Sequence, residues 1–298
     1  MLLVNPSSGT ARPSPEELAE EARNLGVEAR LLGPGDDAAA LAHEAVEAGA
    51  AALGVAGGDG TLAGVAAAAI DHDRPFVVIP FGTRNHFARD AGIDVRDPLA
   101  ALRAFEGEER RVDVGVVCDR IFLNNVSLGI YGSFVHDEER KTKNRALAFV
   151  RMLGTALGRS RDPLAVSFEV DGRRERGSVL VLLVGNNDYS LDSLGDFGQR
   201  DTLDGGCLHA AVIEATTRRR LLGLLARAVV RRMEEAHSWS DWTSASFRVD
   251  ADRRRLHAAL DGEPIVLEPP LEFSVRPRAL RLLVPRSGDR ERAADGRS

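Results

Sequence analysis

The chain has 298 residues, of which 44% are hydrophobic and 28% charged, so it is long enough for two domains and has an ordinary globular composition. Its formal net charge of -6 argues against a nucleic-acid-binding protein. The longest apolar run, Val179–Val184, is too short to span a bilayer, and a turn follows the first four residues, too early for a signal peptide. We therefore expect a cytoplasmic protein whose contact with a membrane is peripheral.

The first hundred residues alternate short apolar runs with helical patterns. The runs predict four strands and the patterns three helices between them: strands at 2–4, 27–33, 51–57 and 75–82, and helices at 13–26, 36–50 and 61–71. Such alternation predicts an α/β region with a mostly parallel sheet. Functional sites in these sheets lie at the carboxyl ends of the strands.

After about residue 110, alternating apolar and polar residues predict a β-rich, largely antiparallel region. Hairpin turns are predicted at Asp119–Arg120, Asp171–Gly172 and Asp261–Gly262. Two helical insertions are predicted at 137–157 and 217–233, and the last residues, 286–298, are expected to be a disordered tail because they lack an apolar anchor.

A glycine-rich turn, GGDGT at Gly57–Thr61, follows the third predicted strand and precedes the third predicted helix. It is neither a GxGxxG motif nor a P-loop, since no lysine precedes Lys141. Glycine amides and a helix N-terminus can still hold phosphate oxygens, and an aspartate beside them requires a cation such as Mg²⁺ in between. The turn therefore predicts a metal–nucleotide site. A purely structural turn, with Asp59 or Thr61 as the helix cap, is the alternative.

Polar and glycine residues also follow two other strands of the predicted sheet. The first strand is followed by Asn5, Ser7 and Ser8, and the fourth by Gly82, Thr83 and Asn85. Hydroxyl, amide and glycine groups from three strand ends are suited to nucleotide recognition without lysine, although each turn alone is a weak signal.

These motifs resemble the diacylglycerol kinase catalytic domain family, which includes bacterial lipid kinases and sphingosine kinases, with NAD kinases as more distant relatives. VNPSSG, GGDGT, PFGTRNHFAR, LNNVSLGIYGSF and LDGE occur in the family's order over roughly residues 1–285. The resemblance implies an α/β nucleotide-binding domain at 1–110, a C-terminal antiparallel β-sandwich domain for the lipid substrate at 111–285, and a cleft between them where lipid and ATP meet.

The resemblance also implies roles for individual residues. It assigns Gly57, Gly58, Asp59, Gly60 and Thr61 to the ATP phosphates and the catalytic Mg²⁺, and it makes Asn5, Thr83 and Asn85 nucleotide contacts. Asp261, in LDGE, resembles the general base that takes the proton from the acceptor hydroxyl. Glu263 would project to the same side as Asp261 if the chain there is extended.

The match has two departures. His86 follows Asn85, where many family members have aspartate. Some bacterial members hold a structural Mg²⁺ through an aspartate in a D-G-x-L pattern, but here LDGGCLHA has an extra glycine. Asp204 is therefore a candidate metal ligand that stands one position out of register.

Basic residues are unevenly distributed along the chain. Residues 1–100 carry 7 arginines against 15 acidic residues, whereas the remainder carries 32 basic and 30 acidic residues. Two segments, 139–159 and 218–233, combine basic and apolar residues at helical spacing. They are interpreted either as amphipathic helices covering the β-rich domain or as contacts with an anionic membrane surface.

Together these observations predict an ATP- and Mg²⁺-dependent lipid kinase whose most plausible acceptor is diacylglycerol, giving phosphatidic acid. The alternatives are a soluble kinase of the NAD kinase type and a nucleotide-binding regulatory module without catalysis. A homodimer is compatible with the sequence, which does not determine the oligomeric state.

Overall fold

The computed structural model describes residues 1–8, 13–129, 164–170, 173–189, 200–214 and 239–286. The predicted helices at 137–157 and 217–233, the turn at 171–172 and the tail from residue 287 lie outside this part. Two compact units are present: Met1–Val114 together with the chain from Pro277 onward, and Gly115–Arg276. The last described strand thus returns to the first unit.

The first unit contains the predicted parallel sheet. Its strands lie in the order β2, β1, β3, β4, followed by the end of the last described strand, whose Leu282 and Leu283 pair with β4. The four labelled strands are β1 (Leu2–Val4), β2 (Ala29–Leu31), β3 (Leu53–Gly57) and β4 (Phe76–Pro80). Both β3 and β4 are buried along their whole length, as expected for strands of a covered parallel sheet.

The three predicted helices are present, and three short helices that were not predicted follow β4. They are α1 (Pro15–Asn24), α2 (Ala38–Glu47), α3 (Asp59–Asp71), α4 (His86–Asp90), α5 (Pro98–Ala101) and a 3-10 helix (Leu102–Glu106). Ser14 and Glu17 form a reciprocal capping box at the start of α1, which explains why the helix begins there. Asp37 is the N-cap of α2, and its side chain accepts the amides of Ala39 and Ala40.

The second unit is built from antiparallel strands. They are β5 (Glu108–Val117), β6 (Arg120–Phe122), β7 (Asn125–Gly129), β8 (Leu164–Val170), β9 (Arg173–Asn186), β10 (Leu208–Glu214), β11 (Trp239–Ser244), β12 (Ser246–Ala251), β13 (Leu256–Leu260), β14 (Glu263–Leu267) and β15 (Leu271–Val284). Strands β5 and β15 contribute residues to both units. The central strand β9 pairs with β7, β8 and β10. Together the two units confirm the predicted fold class.

One hairpin turn is displaced from its predicted position. Val117 pairs with Arg120, so the turn between β5 and β6 is Cys118–Asp119 and not Asp119–Arg120. Cys118 has a φ of 52°, in the left-handed region that tight hairpin turns require. The prediction was wrong by one residue because an aspartate is a stronger turn signal than a cysteine.

The turn between β13 and β14 is where the sequence predicts it. Leu260 pairs with Glu263, and both central residues are left-handed, with φ values of 48° at Asp261 and 86° at Gly262. The chain is therefore not extended at Asp261, and the condition under which Glu263 would project to the same side is not met.

An apolar core lies under the strands of the second unit. Phe168, Trp242, Phe247 and Phe273 form a run of ring contacts in which Phe247 and Phe273 are stacked with centroids 4.9 Å apart. Val126 and Leu128 of β7 and Leu182 of β9 are completely buried within the same core. This packing holds together the strands of the second unit, including β7 and β13.

Candidate active-site residues

The loop after β1 is joined to the beginning of α3 in the first unit. The Asn5 side-chain amide donates a hydrogen bond to the Thr61 hydroxyl at 3.1 Å, and its carbonyl oxygen accepts the Ser7 amide at 3.0 Å. The backbone of Asn5 also donates to Ala56 of β3. Asn5 therefore brings the first predicted nucleotide loop to the GGDGT turn.

The N-terminus of α3 has no side-chain cap. Its N-cap residue is Gly58, with extended φ and ψ of -79° and 169°, and Asp59 is the first residue inside the helix. A side chain of the N-cap residue accepts a helix amide at the start of α1, α2 and α5, whereas α4, like α3, has no such bond. Neither Asp59 nor Thr61 is the N-cap, so the capping role considered for these two residues is not observed. An uncapped helix N-terminus is suited to an anionic ligand.

The loops after β3 and β4 approach each other closely at Gly82, where a side chain would be crowded. A Cβ on Gly82 would lie 3.2 Å from both the Gly57 carbonyl oxygen and the Gly58 Cα. A Cβ on Gly58 would lie 3.7 Å from the Ser8 hydroxyl of the first loop. Gly82 thus lies against the backbone of the GGDGT turn, and Gly58 faces the Ser8 side chain of the first loop, at the edge of the sheet where the sequence predicts the nucleotide site.

Asn85 shapes its own loop. Its side-chain oxygen accepts the Gly82 amide and its side-chain nitrogen donates to the Gly82 carbonyl, each at 2.8 Å. Asn85 has a φ of 49°, in the left-handed region that asparagine tolerates better than most residues. Thr83, between them in the chain, is exposed. The amide of Asn85 accordingly supports Gly82, and Thr83 presents a side chain to solvent.

Asp261 is a buried carboxylate in the second unit, and backbone amides surround it. Its Oδ2 accepts the Leu123 amide at 2.8 Å, while its Oδ1 accepts the amides of Asn124 and Asn125 at 2.8 and 3.0 Å. The backbone of Asp261 donates in return to the Asn125 carbonyl. These donors stabilise the ionised carboxylate, which is only 5% exposed, and they fix its position on the segment between β6 and β7.

The same segment is held from its carbonyl side by residues that the sequence analysis did not identify. The buried Arg200 donates to the Leu123 carbonyl at 2.6 Å and to the Asn124 side-chain oxygen at 3.0 Å. The Tyr189 hydroxyl donates to the Asn124 carbonyl at 3.1 Å. Arg200 also lies over the Tyr189 ring, 5.2 Å from its centroid. These contacts join residues that are 65 to 77 positions apart, so no local sequence pattern predicts them.

Asp204 lies in an exposed turn before β10. Its carboxylate contacts the Thr202 hydroxyl, and its amide donates to the same hydroxyl at 3.2 Å. Among the described residues there is no group of three or more histidine, cysteine, aspartate or glutamate side chains that could hold a metal. The surroundings of Asp204 are those of a hydroxyl-bonded turn aspartate.

Comparisons with known proteins place these residues in a family. The sequence pattern of the diacylglycerol kinase catalytic domain matches residues 1–117. The protein named "Probable lipid kinase YegS-like" from Pseudomonas fluorescens is 31% identical over 271 residues, which cover 90% of this chain and 88% of that protein. The protein of the same name from Pseudomonas aeruginosa is 31% identical over 282 residues, 89% of this chain and 86% of its own length. The chain belongs to the YegS-like lipid kinase family.

Solved structures agree with the fold of this lipid kinase. A diacylglycerol kinase from Bacillus anthracis has a TM-score of 0.66 at 16% identity and covers 95% of both chains. A second structure from that organism has a TM-score of 0.74 at 18% identity and covers 95% of this chain and 94% of its own. The recognition made from the motifs is confirmed, and the chain is a kinase with an alcohol acceptor.

Kinases of this kind use ATP and usually a divalent metal, and the first unit of this lipid kinase is compatible with both. Mg²⁺ is typically held by one or two carboxylates together with substrate phosphates, and Asp59 provides one carboxylate at the uncapped start of α3. No described helix is both long and apolar enough to cross a membrane.

Proposed function

We propose that this lipid kinase transfers the γ-phosphate of ATP to the hydroxyl of diacylglycerol, giving phosphatidic acid. The observation that carries the proposal is the uncapped N-terminus of α3, where Asp59 lies beside three strand-end loops held together by Asn5 and by glycine contacts. In the transfer, the acceptor oxygen forms a bond to the γ-phosphorus, the bond to ADP breaks, and the hydroxyl proton leaves.

The nucleotide-binding role falls to the first unit. The amides of Gly58, Gly60 and Thr61 at the start of α3 would bind phosphate oxygens, and the helix dipole would favour their negative charge. Asp59 would hold Mg²⁺, which when bound neutralises phosphate charge. Asn5 and Asn85 would act by shaping the loops that these amides belong to, since their side chains bond within the loops.

The proton-accepting role falls to Asp261 in the second unit. Its carboxylate is ionised by virtue of three backbone donors and is immobilised in a hairpin turn, so it has a defined position from which to accept the proton of the acceptor hydroxyl. Diacylglycerol is favoured as acceptor by the match of residues 1–117 to the diacylglycerol kinase catalytic domain. A lipid acceptor also requires peripheral contact with a membrane, which we assign to the two basic segments at 139–159 and 218–233.

The test measures phosphate transfer from labelled ATP to diacylglycerol in mixed vesicles and, in parallel, to NAD. We expect transfer to diacylglycerol only. Asp59→Asn removes the charge that holds the metal and should lower kcat/KM at least about 100-fold. Asp71→Asn, at the last position of the same helix, is the matched control and should behave as the wild type.

Three results would contradict the proposal. Transfer to NAD and not to the lipid would make the protein a soluble kinase. Binding of ATP without turnover on any lipid would make it a regulatory module. Equal activity of Asp59→Asn and Asp71→Asn would remove Asp59 from the nucleotide site.

A further inference from the structure

Two peptide groups separate Asp261 from Arg200 and Tyr189. The peptide between Leu123 and Asn124 accepts Arg200 at its carbonyl oxygen, at 2.6 Å, and donates its N–H to Asp261 Oδ1 at 2.8 Å. Arg200 and Asp261 therefore bind opposite ends of the same peptide group. A cation at the carbonyl end withdraws electrons from that amide and makes its N–H a stronger donor.

The next peptide repeats the arrangement. The carbonyl of Asn124 accepts the Tyr189 hydroxyl at 3.1 Å, and the amide of Asn125 in the same peptide group donates to Asp261 Oδ1 at 3.0 Å. Both chains of hydrogen bonds thus end on one carboxylate oxygen. Because consecutive hydrogen bonds polarise one another, the two outer donors strengthen the two inner ones.

We infer that Arg200 and Tyr189 are positioning residues for Asp261, acting on its carboxylate through these two peptide groups. The inference rests on the proposed function insofar as Asp261 is the proton acceptor there. The predicted effect on the pKa of the Asp261 carboxylate does not depend on that role. Both residues are at least nine-tenths buried, so the positive charge of Arg200 is poorly screened by water.

Other charged or polar groups near this segment leave the direction of the effect unchanged. Glu263 of the same hairpin is exposed, and its negative charge is screened. The buried His209 pairs with Asp188, next to Tyr189 in the chain. The Asn186 side-chain amide donates to the Leu123 carbonyl at 3.2 Å, alongside Arg200, and adds to the polarisation of the first peptide. Weakening either outer donor should therefore make Asp261 more basic.

The decisive variant is Tyr189→Phe, which removes the hydroxyl and keeps the ring beneath Arg200. Ser127→Ala is its control, because it also removes one buried hydroxyl from the second unit, and that hydroxyl has no hydrogen-bond partner among the described residues. The measurement is the pH titration of the Asp261 carboxyl carbon by NMR, with the signal assigned by its loss in Asp261→Asn. This readout needs no substrate.

We expect the Asp261 titration to move to higher pH in Tyr189→Phe, by on the order of half a pH unit, and to stay in place in Ser127→Ala. Arg200→Lys keeps the charge but loses the planar fork that reaches two acceptors, and it should move the titration in the same direction. It takes the place of Tyr189→Phe if that variant does not fold. An unchanged titration in a folded variant would overturn the inference.

The dependence of kcat on pH then separates the inference from the proposed function. If both hold, the acid limb of that profile moves with the NMR titration, while KM for ATP stays constant because the nucleotide loops are untouched. If the titration moves and the acid limb does not, the electrostatic coupling stands and Asp261 is not the base. If kcat has an acid limb, but neither that limb nor the NMR titration of Asp261 moves in the variant, only the inference fails.

Discussion

At the scale of single residues, Asp261 combines a structural and a chemical task. Three backbone amides keep its carboxylate ionised and hold it in place, but the same donors lower its affinity for the proton that it is proposed to accept. A carboxylate held in this way is a weak base with a fixed position. It suits a phosphate transfer with a loose transition state, in which alignment contributes more than proton abstraction.

This double role predicts the behaviour of Asp261→Asn. The amide oxygen can keep the two bonds made by Oδ1, but its NH₂ group then faces the Leu123 amide and leaves that buried donor unsatisfied. We expect the free energy of unfolding to fall by about 1–3 kcal/mol, in addition to the loss of turnover. Chemical denaturation and the lipid kinase assay measure the two effects.

Asp119→Asn is the control for this variant, because it makes the same substitution at an exposed position in the turn between β5 and β6. It should leave both stability and turnover unchanged. An Asp261→Asn protein as stable as the wild type would show that the bonds to the segment between β6 and β7 contribute little.

At the scale of elements, local signals predict the first unit well. Ser14 and Gly26 delimit α1, Asp37 begins α2, and the strands end where glycine and asparagine appear. These signals are read over a few residues, so a single sequence contains them. The hydrogen bonds that hold Leu123–Asn125 from their carbonyl side come from Arg200 and Tyr189. These residues are distant in sequence and lie near Leu123–Asn125 because β7 and β9 pair. Asp261 could be identified by resemblance, but no local sequence pattern predicts these hydrogen bonds from Arg200 and Tyr189.

An ion pair joins β5 and β15 within the first unit. Arg281 donates from Nε and Nη2 to the two carboxylate oxygens of Glu109, at 3.0 and 2.7 Å, and from Nη1 to the Asp73 carbonyl at 2.7 Å. The hydrogen bonds from Arg281 hold the pKa of Glu109 below its ordinary value. The bidentate geometry distinguishes this pair from the other surface pairs of the unit.

The lowered pKa predicts how this pair depends on pH. Above the ordinary glutamate pKa the carboxylate is ionised in both the folded and unfolded states, and the pair stabilises the fold by less than about 1 kcal/mol because it is partly exposed. The contribution is lost as pH falls through the lowered pKa of the folded state. The difference in unfolding free energy between wild type and Glu109→Gln should therefore be constant at neutral pH and vanish in acid.

Glu108→Gln, at the exposed neighbouring position on β5, is the control and should show no such pH-dependent difference. A difference for Glu109→Gln that persists at the lowest pH would mean that packing, and not charge, stabilises this junction.

At the scale of the whole molecule, the net charge of -6 opposes adsorption to an anionic membrane unless basic residues are concentrated. The proposed membrane contact therefore predicts binding to phosphatidylglycerol vesicles that falls with salt and is absent with phosphatidylcholine. Replacing Arg218, Arg219 and Arg220 with glutamine should weaken binding on the order of 100-fold, since each basic residue contributes about 1 kcal/mol. Vesicle sedimentation measures it.

A second arginine triplet provides the control for that experiment. Arg253, Arg254 and Arg255 lie in the exposed loop between β12 and β13, where Arg255 pairs with Glu268. The same replacement there changes the net charge equally. Equal loss of binding from both triplets would attribute adsorption to overall charge and contradict a dedicated basic segment.

The return of β15 to the first unit has a consequence for synthesis on the ribosome. Leu282 and Leu283 pair with Phe76 and Val77, so β4 lacks its neighbour until the whole of the second unit has been translated. At about 5–20 residues per second that interval is roughly ten to forty seconds, during which a buried, apolar strand edge stays open to misassociation. A nascent chain of this kinase thus depends on chaperones, or on early folding of β1–β4, until its final strand emerges.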